Sequence, residues 1–371
     1  MKVTVTKKEK KGYYGVYGGR YVPEELTGDL DRLEQVFDVC REERAFREKL
    51  EELRTHYVGR PTPLYFAKNT TKKLGGGRLY LKMEGLSYTG AHNINNALGQ
   101  GLLALRLGKK KLIAETGAGQ HGLATATVAA TLGLQCDIYM GERDVRRQRP
   151  NVFWMETLGA QVIPVQRGTK TLTDAVDAAF EAWSIEHADA YYLVGSALGP
   201  APYPRIVKEF QSVIGREVKE QSSERFGGLP DILIACAGGG SNSMGLFAPF
   251  IKERSVRLIA VKGGGKGNKP GEHAVRLHEE GRVEFTYAMD NDVLKAITFF
   301  ARNEGVIPAI ESAHALAAAL KILPELSVEQ SVIVNVSGRG EKDLFITAPA
   351  IGNRAVWTDF LRDEYRRLSG K

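Results

Sequence analysis

Length, composition and charge describe an ordinary globular chain and exclude several classes of protein. The 371 residues are 43% hydrophobic and 26% charged, enough for about two domains with buried cores. No apolar run reaches the roughly 18 residues of a membrane span, and the N-terminus lacks the apolar stretch of a secretory signal. The three cysteines, Cys40, Cys136 and Cys236, show no metal-ligand spacing. We therefore expect no metal and a reducing, cytoplasmic location.

The net charge of +7 comes chiefly from two short basic runs, at 7–11 and 109–111. Aromatic residues do not interleave with them, and no nucleic-acid-binding signature accompanies them. We interpret both runs as solvated surface and expect neither a nucleic acid nor a membrane as partner. A mild positive field favours small anionic ligands.

Strands and helices alternate along most of the chain. A charged helix is predicted at 29–53, before the alternation begins. Continuous apolar runs indicate strands buried on both faces, and helices of ten to fifteen residues between them indicate parallel sheets. Strands are predicted at 111–115, 136–140, 161–165, 191–195, 231–237, 256–261 and 331–336, and helices at 121–132, 144–158, 171–186 and 204–222.

Glycine-rich turns lie at 75–77 and 263–271, where we predict the weakest points of the chain. Three other glycine-rich motifs follow predicted strands directly. Ligands of doubly wound sheets bind at the carboxyl ends of strands, so we expect these three motifs to meet in one cleft.

The first motif follows the strand ending at Ala237 and precedes a helix. Its residues are Gly238, Gly239, Gly240, Ser241 and Asn242. Glycines let backbone amides approach an anion closely, and the two polar side chains add donors. Many such turns are only tight connections, but this one predicts a phosphate-binding loop.

The second motif begins with Glu115 at the end of an apolar strand. The loop that follows, Thr116, Gly117, Ala118, Gly119, Gln120 and His121, offers backbone amides that suit a carboxylate. Burial would raise the pKa of Glu115 toward neutrality and make it a usable general acid or base. The alternative is a structural role, in which Glu115 caps the following helix.

A third motif, Val336-Ser337-Gly338-Arg339-Gly340, follows the last strand, and a fourth contains Glu311 and His314. Taken alone, Ser337 is typical of a turn hydroxyl bonded to backbone, and His314 of a packed helix residue.

These motifs, together with Tyr88-Thr89-Gly90-Ala91-His92-Asn93, resemble the tryptophan synthase β subunit family in order and spacing. The resemblance extends over most of the chain, in the stretches 15–23, 59–65, 90–168, 199–219, 238–242 and 305–343. It implies an α/β chain of pyridoxal-phosphate (PLP) fold type II, with two doubly wound parallel-sheet domains and the site between them. The implied domains are 1–58 plus 92–210 and 59–91 plus 211–371.

The resemblance also implies roles for individual residues. It places the cofactor phosphate at the Gly238 loop and near His92, and the cofactor ring at Ser337 and Glu311. It places the substrate carboxylate at the Thr116–His121 loop and the indole nitrogen at Glu115. Family members form dimers that pair with α subunits, so a homodimer and an α-subunit-like partner are expected.

Several residues depart from the family pattern, above all Asn93. The family carries at this position the lysine that forms a Schiff base with PLP, and a carboxamide nitrogen cannot form one. The stretch Lys82-Met83-Glu84-Gly85-Leu86 replaces the usual Lys-Arg-Glu-Asp-Leu, which removes a charged pair, and Lys262 stands where the family commonly carries Glu. A long segment is expected to be absent between about Arg282 and Ala288; in the family it carries the tunnel gate and the monovalent-cation ligands.

Two explanations would restore a lysine to the chemistry. Lys82 or Lys262 would serve if either reached the cofactor with a depressed pKa. An engineered replacement would explain Asn93, but it would not explain the missing segment.

From these departures we expect a diverged enzyme that uses no PLP. Glu115 and His92 would transfer protons on a small anionic substrate, in a cyclisation, condensation or elimination. One alternative is a β-replacement enzyme that binds PLP noncovalently, slower by ~10²–10⁴-fold for its missing acid–base group. The other is an inactive subunit that regulates a catalytic partner.

Overall fold

The computed structural model describes residues 12–14, 17–265 and 282–369. The basic run at 7–11 lies outside the described residues, as does the part of the 263–271 turn that follows Gly265. Within these ranges no helix is both long and apolar enough to cross a lipid bilayer.

Twelve strands are present in the described ranges. Apart from the antiparallel hairpin of β1 and β2, they form two sheets. In chain order they are β1 Tyr13–Tyr14, β2 Tyr17–Gly18, β3 Leu64–Phe66, β4 Arg78–Lys82, β5 Lys111–Thr116, β6 Gln135–Gly141, β7 Gln161–Val165, β8 Ala190–Tyr192, β9 Ile232–Cys236, β10 Arg257–Gly265, β11 Glu284–Met289 and β12 Ser331–Asn335.

Fifteen α-helices occupy the same described part of the chain. They are α1 Thr27–Glu42, α2 Arg44–Leu53, α3 Lys68–Leu74, α4 Asn93–Arg106, α5 Gln120–Leu132, α6 Glu142–Arg147, α7 Arg149–Thr157, α8 Leu172–Glu186, α9 Tyr203–Gln211, α10 Val213–Phe226, α11 Ser241–Phe247, α12 Asp290–Glu304, α13 Ile310–Ile322, α14 Leu344–Ile351 and α15 Arg354–Ser369.

The chain folds into two compact units. Unit 1 comprises Met1–Arg60, Asn93–Val213 and Gly239–Gly245. Its sheet is fully parallel, in the order β7-β6-β5-β8. Helices α5 and α8 pack against β5 and β6, and the core beneath them includes Leu112, Ile113 and Ile138, all fully buried.

Unit 2 comprises Pro61–His92, Ile214–Gly238 and Leu246–Lys371. Its sheet has the order β11-β10-β9-β12-β4-β3. Five of these strands are parallel, whereas β3 pairs antiparallel with β4 at the edge. Helix α13 packs on β9, β10 and β12, and its alanine-rich face lets it approach the sheet closely.

The predicted fold class is confirmed: this is an α/β chain with two parallel-sheet domains. The strands follow from apolar runs that are buried along nearly their whole length, as in β9 and β12. The antiparallel edge strand β3 makes the larger sheet mixed, which the sequence analysis did not predict.

Some predicted helices are interrupted. The helix expected at 144–158 consists of α6 and α7, separated at Gln148, whose φ and ψ are −110° and 30°. Pro150 explains the break, because it has no N–H for an intrahelical bond and fits only in the first turn of the next helix. The long helix predicted at 29–53 is likewise divided at Glu43.

A buried ion pair lies beside the sheet of unit 2. Lys82, at the end of β4, is fully buried, and its Nζ lies 2.5 Å from Glu217 Oε2. The ammonium also donates to Thr62 O at 2.7 Å and to Gln221 Oε1 at 2.9 Å. Because three protein acceptors surround the ammonium, the protein itself compensates the buried charge of Lys82.

We expect Lys82→Met to destabilise the protein by about 3–5 kcal/mol, because it removes one partner of a buried ion pair and the ammonium that Glu217, Thr62 O and Gln221 surround. The same substitution at Lys321, in an exposed pair with Asp292, should cost at most about 1 kcal/mol. Urea denaturation of both variants measures the difference. Equal losses would contradict the importance of the buried pair.

Candidate functional site

The loop after β5 is held in one shape by its own hydrogen bonds. Thr116 Oγ1 accepts the Gly119 amide at 3.2 Å, and the Asn151 side chain donates to Ala118 O at 2.9 Å. Gly119 has a φ of 87°, and a Cβ there would lie 2.6 Å from Asn151. The Gly119 amide is therefore used inside the loop, so fewer amides than predicted are available to a carboxylate.

Glu115 is an acid placed in an apolar setting. It lies in β5 with 7% of its surface exposed, and its Oε2 is buried without a hydrogen-bond partner. Burial raises its pKa to about 7, although the nearby Tyr192 hydroxyl opposes the rise. A carboxyl group that titrates near neutrality can both take and give a proton, as acid–base catalysis requires.

The glycine loop after β9 is open. Gly238 and Gly239 are exposed, and Gly240 adopts a φ of 83° just before α11 begins at Ser241. The carbonyl of Gly239 accepts bonds from Ser196 Oγ at 2.7 Å and from the Ala197 amide at 2.8 Å. These bonds fix the loop while leaving the outer amides accessible, a geometry that suits a phosphate. Ser241 and Asn242 are buried in the first turn of α11.

Asn93 is the first residue of α4, and buried amides anchor the helix that follows it. Asn96 Nδ2 and Gln100 Nε2 donate to Val194 O at 2.8 and 2.7 Å. Arg60 donates to Asn95 Oδ1 at 2.8 Å. Because these amides are at most 1% exposed, the start of α4 has a defined position in unit 1.

His92 is held as the neutral form. Its Nδ1 lies 3.2 Å from Ser337 O, and a carbonyl only accepts, so Nδ1 carries the proton and Nε2 the lone pair. Burial lowers the pKa of His92, outweighing the Ser337 bond and the charges of Glu84 and Glu311. The ring therefore suits accepting a proton or a hydrogen bond more than supplying positive charge.

Ser337 belongs to a chain of small polar groups. Its Oγ lies 2.9 Å from Ser312 Oγ and 3.5 Å from Cys236 Sγ. Ser312 in turn accepts the Gly338 amide at 3.0 Å. This arrangement places a neutral hydroxyl at the carboxyl end of β12.

Glu311 pairs with a lysine of its own unit. Lys342 Nζ lies 3.0 Å from Glu311 Oε2 and 2.7 Å from Asp343 Oδ1. Burial alone would raise the pKa of Glu311, but the ammonium charge outweighs it and holds the pKa below its usual range. Glu311 is therefore ionised at neutral pH, with half of its side chain exposed.

The predicted site residues fall into two groups. Within unit 1, Glu115 and the 116–121 loop lie at the carboxyl end of β5, which pairs with β8. Gly239 contacts the segment that follows β8. Within unit 2, Ser337 bonds His92, and the Glu311 charge acts on the same imidazole. The roles assigned to these residues, and their meeting in one cleft, stay predictions.

Two residues of the site were missed. Tyr192, whose hydroxyl opposes the rise in the pKa of Glu115, was assigned only to a strand, because its position near Glu115 depends on the pairing of β5 with β8. Ser312, which bonds Ser337, follows Glu311 directly in the sequence, but nothing in its local pattern distinguishes it from a helix serine.

Of the two alternative lysines, Lys82 is poorly suited to nucleophilic attack. Lys82 is buried and bound by three acceptors, as described above. Lys262 on β10 is partly buried, which lowers its pKa, and its Nζ lies 4.6 Å from the centre of the Phe285 ring.

Comparison with known proteins identifies close sequence relatives. Residues 56–338 match the family model of pyridoxal-phosphate-dependent enzymes. The tryptophan synthase beta chain of Helicobacter hepaticus is 46% identical, over 99% of this chain and 100% of the relative. That of Fusobacterium nucleatum is 45% identical, over 94% of this chain and 100% of the relative.

Solved structures share the fold at low identity. A fungal L-serine ammonia-lyase from Rhizomucor miehei is 20% identical with a TM-score of 0.62, covering 76% of this chain and 94% of that one. O-acetyl serine sulfhydrylase isoform 3 from Entamoeba histolytica is 18% identical with a TM-score of 0.65, and the match covers 78% of this chain and 89% of that one. At this identity the likeness supports the fold alone.

The relatives also contain sequence that this chain lacks. The Helicobacter alignment spans 422 positions and the Fusobacterium alignment 395, although this chain has only 371 residues. The expected missing segment agrees with this difference in length. Its position near Arg282 stays a prediction, and residues 266–281 lie outside the described residues.

Two expectations from the sequence are wrong. Relatives at 45–46% identity over nearly the whole chain are named tryptophan synthase beta chains, which overturns the reading of a diverged enzyme that works without PLP. The family model and the relatives imply PLP as cofactor, against the expectation of none. Both expectations depended on Asn93 alone, whereas residues along nearly the whole chain match these relatives.

We expect Glu115→Gln to remove a pH-dependent loss of stability. The folded-state pKa of about 7 lies above the usual value of 4.5, so folding disfavours the ionised form. The contribution of Glu115 to the free energy of unfolding is greatest below pH 4.5 and declines as pH rises from 4.5 to about 7. The decline is on the order of 3 kcal/mol, at about 1.4 kcal/mol per pKa unit.

Urea denaturation at pH 5 and pH 8 measures this loss in the unmodified protein and in the variant. Glu156→Gln, at an exposed acid paired with Arg149, is the control and should leave the pH dependence unchanged. A loss of the same size in the Glu115 variant would contradict the raised pKa.

Proposed function

Because the chain belongs to the tryptophan synthase β-like family of pyridoxal-phosphate-dependent enzymes, we propose that it is a lyase-type enzyme that catalyses a PLP-dependent β-replacement. The reaction would join a carbon of indole to the side-chain carbon of an amino-acid substrate such as serine, whose hydroxyl would leave as water with the proton that the indole carbon loses. The observation that carries this proposal is Glu115, a buried acid with a pKa near 7 and an unpartnered oxygen beside an amide-lined loop.

The residues present fit the cofactor as a ligand. The exposed amides of Gly238 and Gly239 suit its phosphate, since side chains at these positions would hinder a close approach. The neutral Ser337 hydroxyl suits the ring nitrogen, because it neither protonates the ring nor adds charge. Bound PLP supplies an electron sink for negative charge at the substrate α-carbon.

The other site residues would bind and orient the substrate and move its protons. The accessible amides of Gly117 and Ala118 would hold the substrate carboxylate. The carboxylate of Glu115 would accept the proton of the indole nitrogen, because its pKa allows ionisation near neutral pH. His92, held neutral by burial, would contribute a hydrogen bond near the phosphate without adding charge.

The same proposal includes a cofactor that is held without a covalent bond to residue 93. An asparagine carboxamide is not nucleophilic, so position 93 offers no amine. Lys82 is bound by three acceptors and would have to break all of them. Phosphate and ring contacts would then carry the whole affinity for the cofactor.

A homodimer and an α-chain partner are part of the proposal as well. The names of the relatives, each a β chain, support the possibility of an α partner. A cytoplasmic location fits an enzyme of this kind and stays a prediction.

We expect the purified protein to bind PLP reversibly and to lose it on dialysis. Borohydride treatment followed by peptide mass spectrometry should find no pyridoxyl group on the chain. Asn93→Lys should retain the cofactor and acquire one such group at residue 93, whereas the control Asn353→Lys, on an exposed loop, should not. A labelled peptide containing Lys82 or Lys262 in the unmodified protein would contradict noncovalent binding.

Glu115→Gln should lower the rate of tryptophan formation from serine and indole by about 10²–10⁴-fold, as expected for loss of an acid–base group. Serine binding, followed by changes in cofactor absorbance, should persist because the loop amides remain. The exposed Glu156→Gln variant again serves as control. Absence of tryptophan formation in every form, including Asn93→Lys, would overturn the proposed reaction.

A further inference from the structure

Two buried serines lie side by side near the carboxyl end of β12, and both belong to unit 2. Ser312, in the first turn of α13, is fully buried, and Ser337 is 4% exposed. Their Oγ atoms are 2.9 Å apart, so one hydroxyl donates a hydrogen bond to the other. Which of the two is the donor decides whether Ser337 presents a hydrogen or a lone pair to a ligand.

Gly338 restricts the choice of donor. Its amide donates to Ser312 Oγ at 3.0 Å, which leaves this hydroxyl with its one hydrogen to place. That hydrogen has two acceptors within reach, Ser337 Oγ at 2.9 Å and Gly338 O at 3.2 Å. Gly338 O already accepts the Ala309 amide at 2.9 Å. Because the contact with Ser337 is shorter and Gly338 O has another donor, Ser337 Oγ is the better acceptor.

With Ser312 as the donor, the hydrogen of Ser337 is directed elsewhere. Among the described residues, the other side-chain atom within its reach is Cys236 Sγ at 3.5 Å. Sulfur is a weak acceptor, so a stronger acceptor on a ligand would take this hydrogen at little cost. A hydroxyl that also accepts a hydrogen bond is the stronger donor, because bonds in a chain polarise one another.

We propose that Ser312 is a positioning residue: by donating to Ser337 Oγ, it makes the Ser337 hydroxyl a hydrogen-bond donor to the pyridine nitrogen of PLP. The inference rests on the proposed function, in which Ser337 meets the ring nitrogen, and extends it. A donor at this nitrogen stabilises the unprotonated ring and disfavours the pyridinium. With the opposite order of hydroxyls, Ser337 would offer a lone pair, which suits a protonated ring.

Ionisable side chains of the same unit surround the two serines. Lys342 Nζ lies 3.0 Å from Glu311 Oε2 and 2.7 Å from Asp343 Oδ1, so these charges compensate one another. His92, whose Nδ1 bonds Ser337 O, is neutral because burial lowers its pKa. In the described structure neither serine hydroxyl bonds any of these side chains, so neutral partners set the order of the two hydroxyls.

Neutron diffraction from crystals of the ligand-free protein, exchanged into deuterium oxide, tests this order directly. The deuterium of Ser312 should lie on the line to Ser337 Oγ. A deuterium on Ser337 that points at Ser312 Oγ would overturn the proposal. Because the measurement needs neither a variant nor a cofactor, it also covers a substitution that fails to fold.

Nitrogen-15 NMR of PLP labelled in its ring tests the effect on the cofactor, because the signal of the ring nitrogen moves on protonation. Ser312→Ala should raise the pKa of this nitrogen by about one pH unit, a roughly tenfold change in its ionisation constant. Without Ser312 behind it, the Ser337 hydroxyl can accept from a protonated ring as readily as it donates to a neutral one. An unchanged pKa would contradict the positioning role.

Ser331→Ala is a matched control at the other end of β12. Ser331 is 1% exposed, and its Oγ likewise accepts an amide, that of Asp231 at 3.2 Å, and donates to Asp231 Oδ2 at 3.0 Å. This variant removes a similar buried hydroxyl and should leave the ring nitrogen unchanged. Equal shifts in Ser331→Ala and Ser312→Ala would show a general structural effect and overturn the proposal.

A double variant tests whether Ser312 acts through its neighbour. Combining Ser312→Ala with Ser337→Ala should shift the pKa of the ring nitrogen no further than Ser337→Ala alone, whereas independent effects would add. Absence of bound PLP, seen as missing cofactor absorbance, would overturn the proposed function together with this inference. Bound PLP with the same ring pKa in Ser312→Ala as in the unmodified protein would overturn the inference alone.

Discussion

Every polar group that enters a parallel sheet covered on both faces must find a partner inside the protein, and this requirement organises both units. Lys82 meets it with a carboxylate, an amide and a carbonyl. The side-chain amides of Asn96 and Gln100 on α4 meet it by donating to the carbonyl of Val194, just after β8. Glu115 does not meet it at Oε2, which is one of several buried polar atoms without a hydrogen-bond partner in the described residues. Because Glu115 also has a raised pKa and lies at the end of a buried strand, it is the strongest candidate among them for a chemical role.

The charge states of the site follow from the same constraint. Burial pushes Glu115 toward its neutral form and His92 toward its neutral form as well, although by opposite shifts of pKa. Glu311 stays ionised because Lys342 accompanies it. In the proposed site, binding of an anion would fall to backbone amides, whose dipoles need no counter-ion and do not change with pH.

Much of the fold was predictable because it depends on patterns that are local in the sequence. Apart from β11, the strands from residue 111 onward were located within a few residues, since runs such as Ile232–Cys236 are apolar without interruption. Helix α4, by contrast, was not predicted: its buried polar residues, Asn95, Asn96 and Gln100, obscure any apolar stripe. The edge strands β3 and β11 are short or partly exposed and carry a weak signal.

The site was predictable in its loops but less so in its contacts. Glycine and polar residues after a strand are visible in the sequence, whereas the position of Tyr192 near Glu115 depends on the register of two strands far apart in the chain. The function was misjudged for a different reason. The expectation of an enzyme without PLP depended on one side chain, Asn93, whereas relatives at 45–46% identity match nearly the whole chain.

The anchoring of α4 has a consequence for how this chain can evolve. Asparagine and lysine codons differ only in their third base, so one nucleotide change would place an amine at the head of the helix. The amides that hold this helix begin two residues later and would not need to rearrange. One substitution would thus supply the amine that the proposed noncovalent site lacks, with the hydrogen bonds that support the helix already in place.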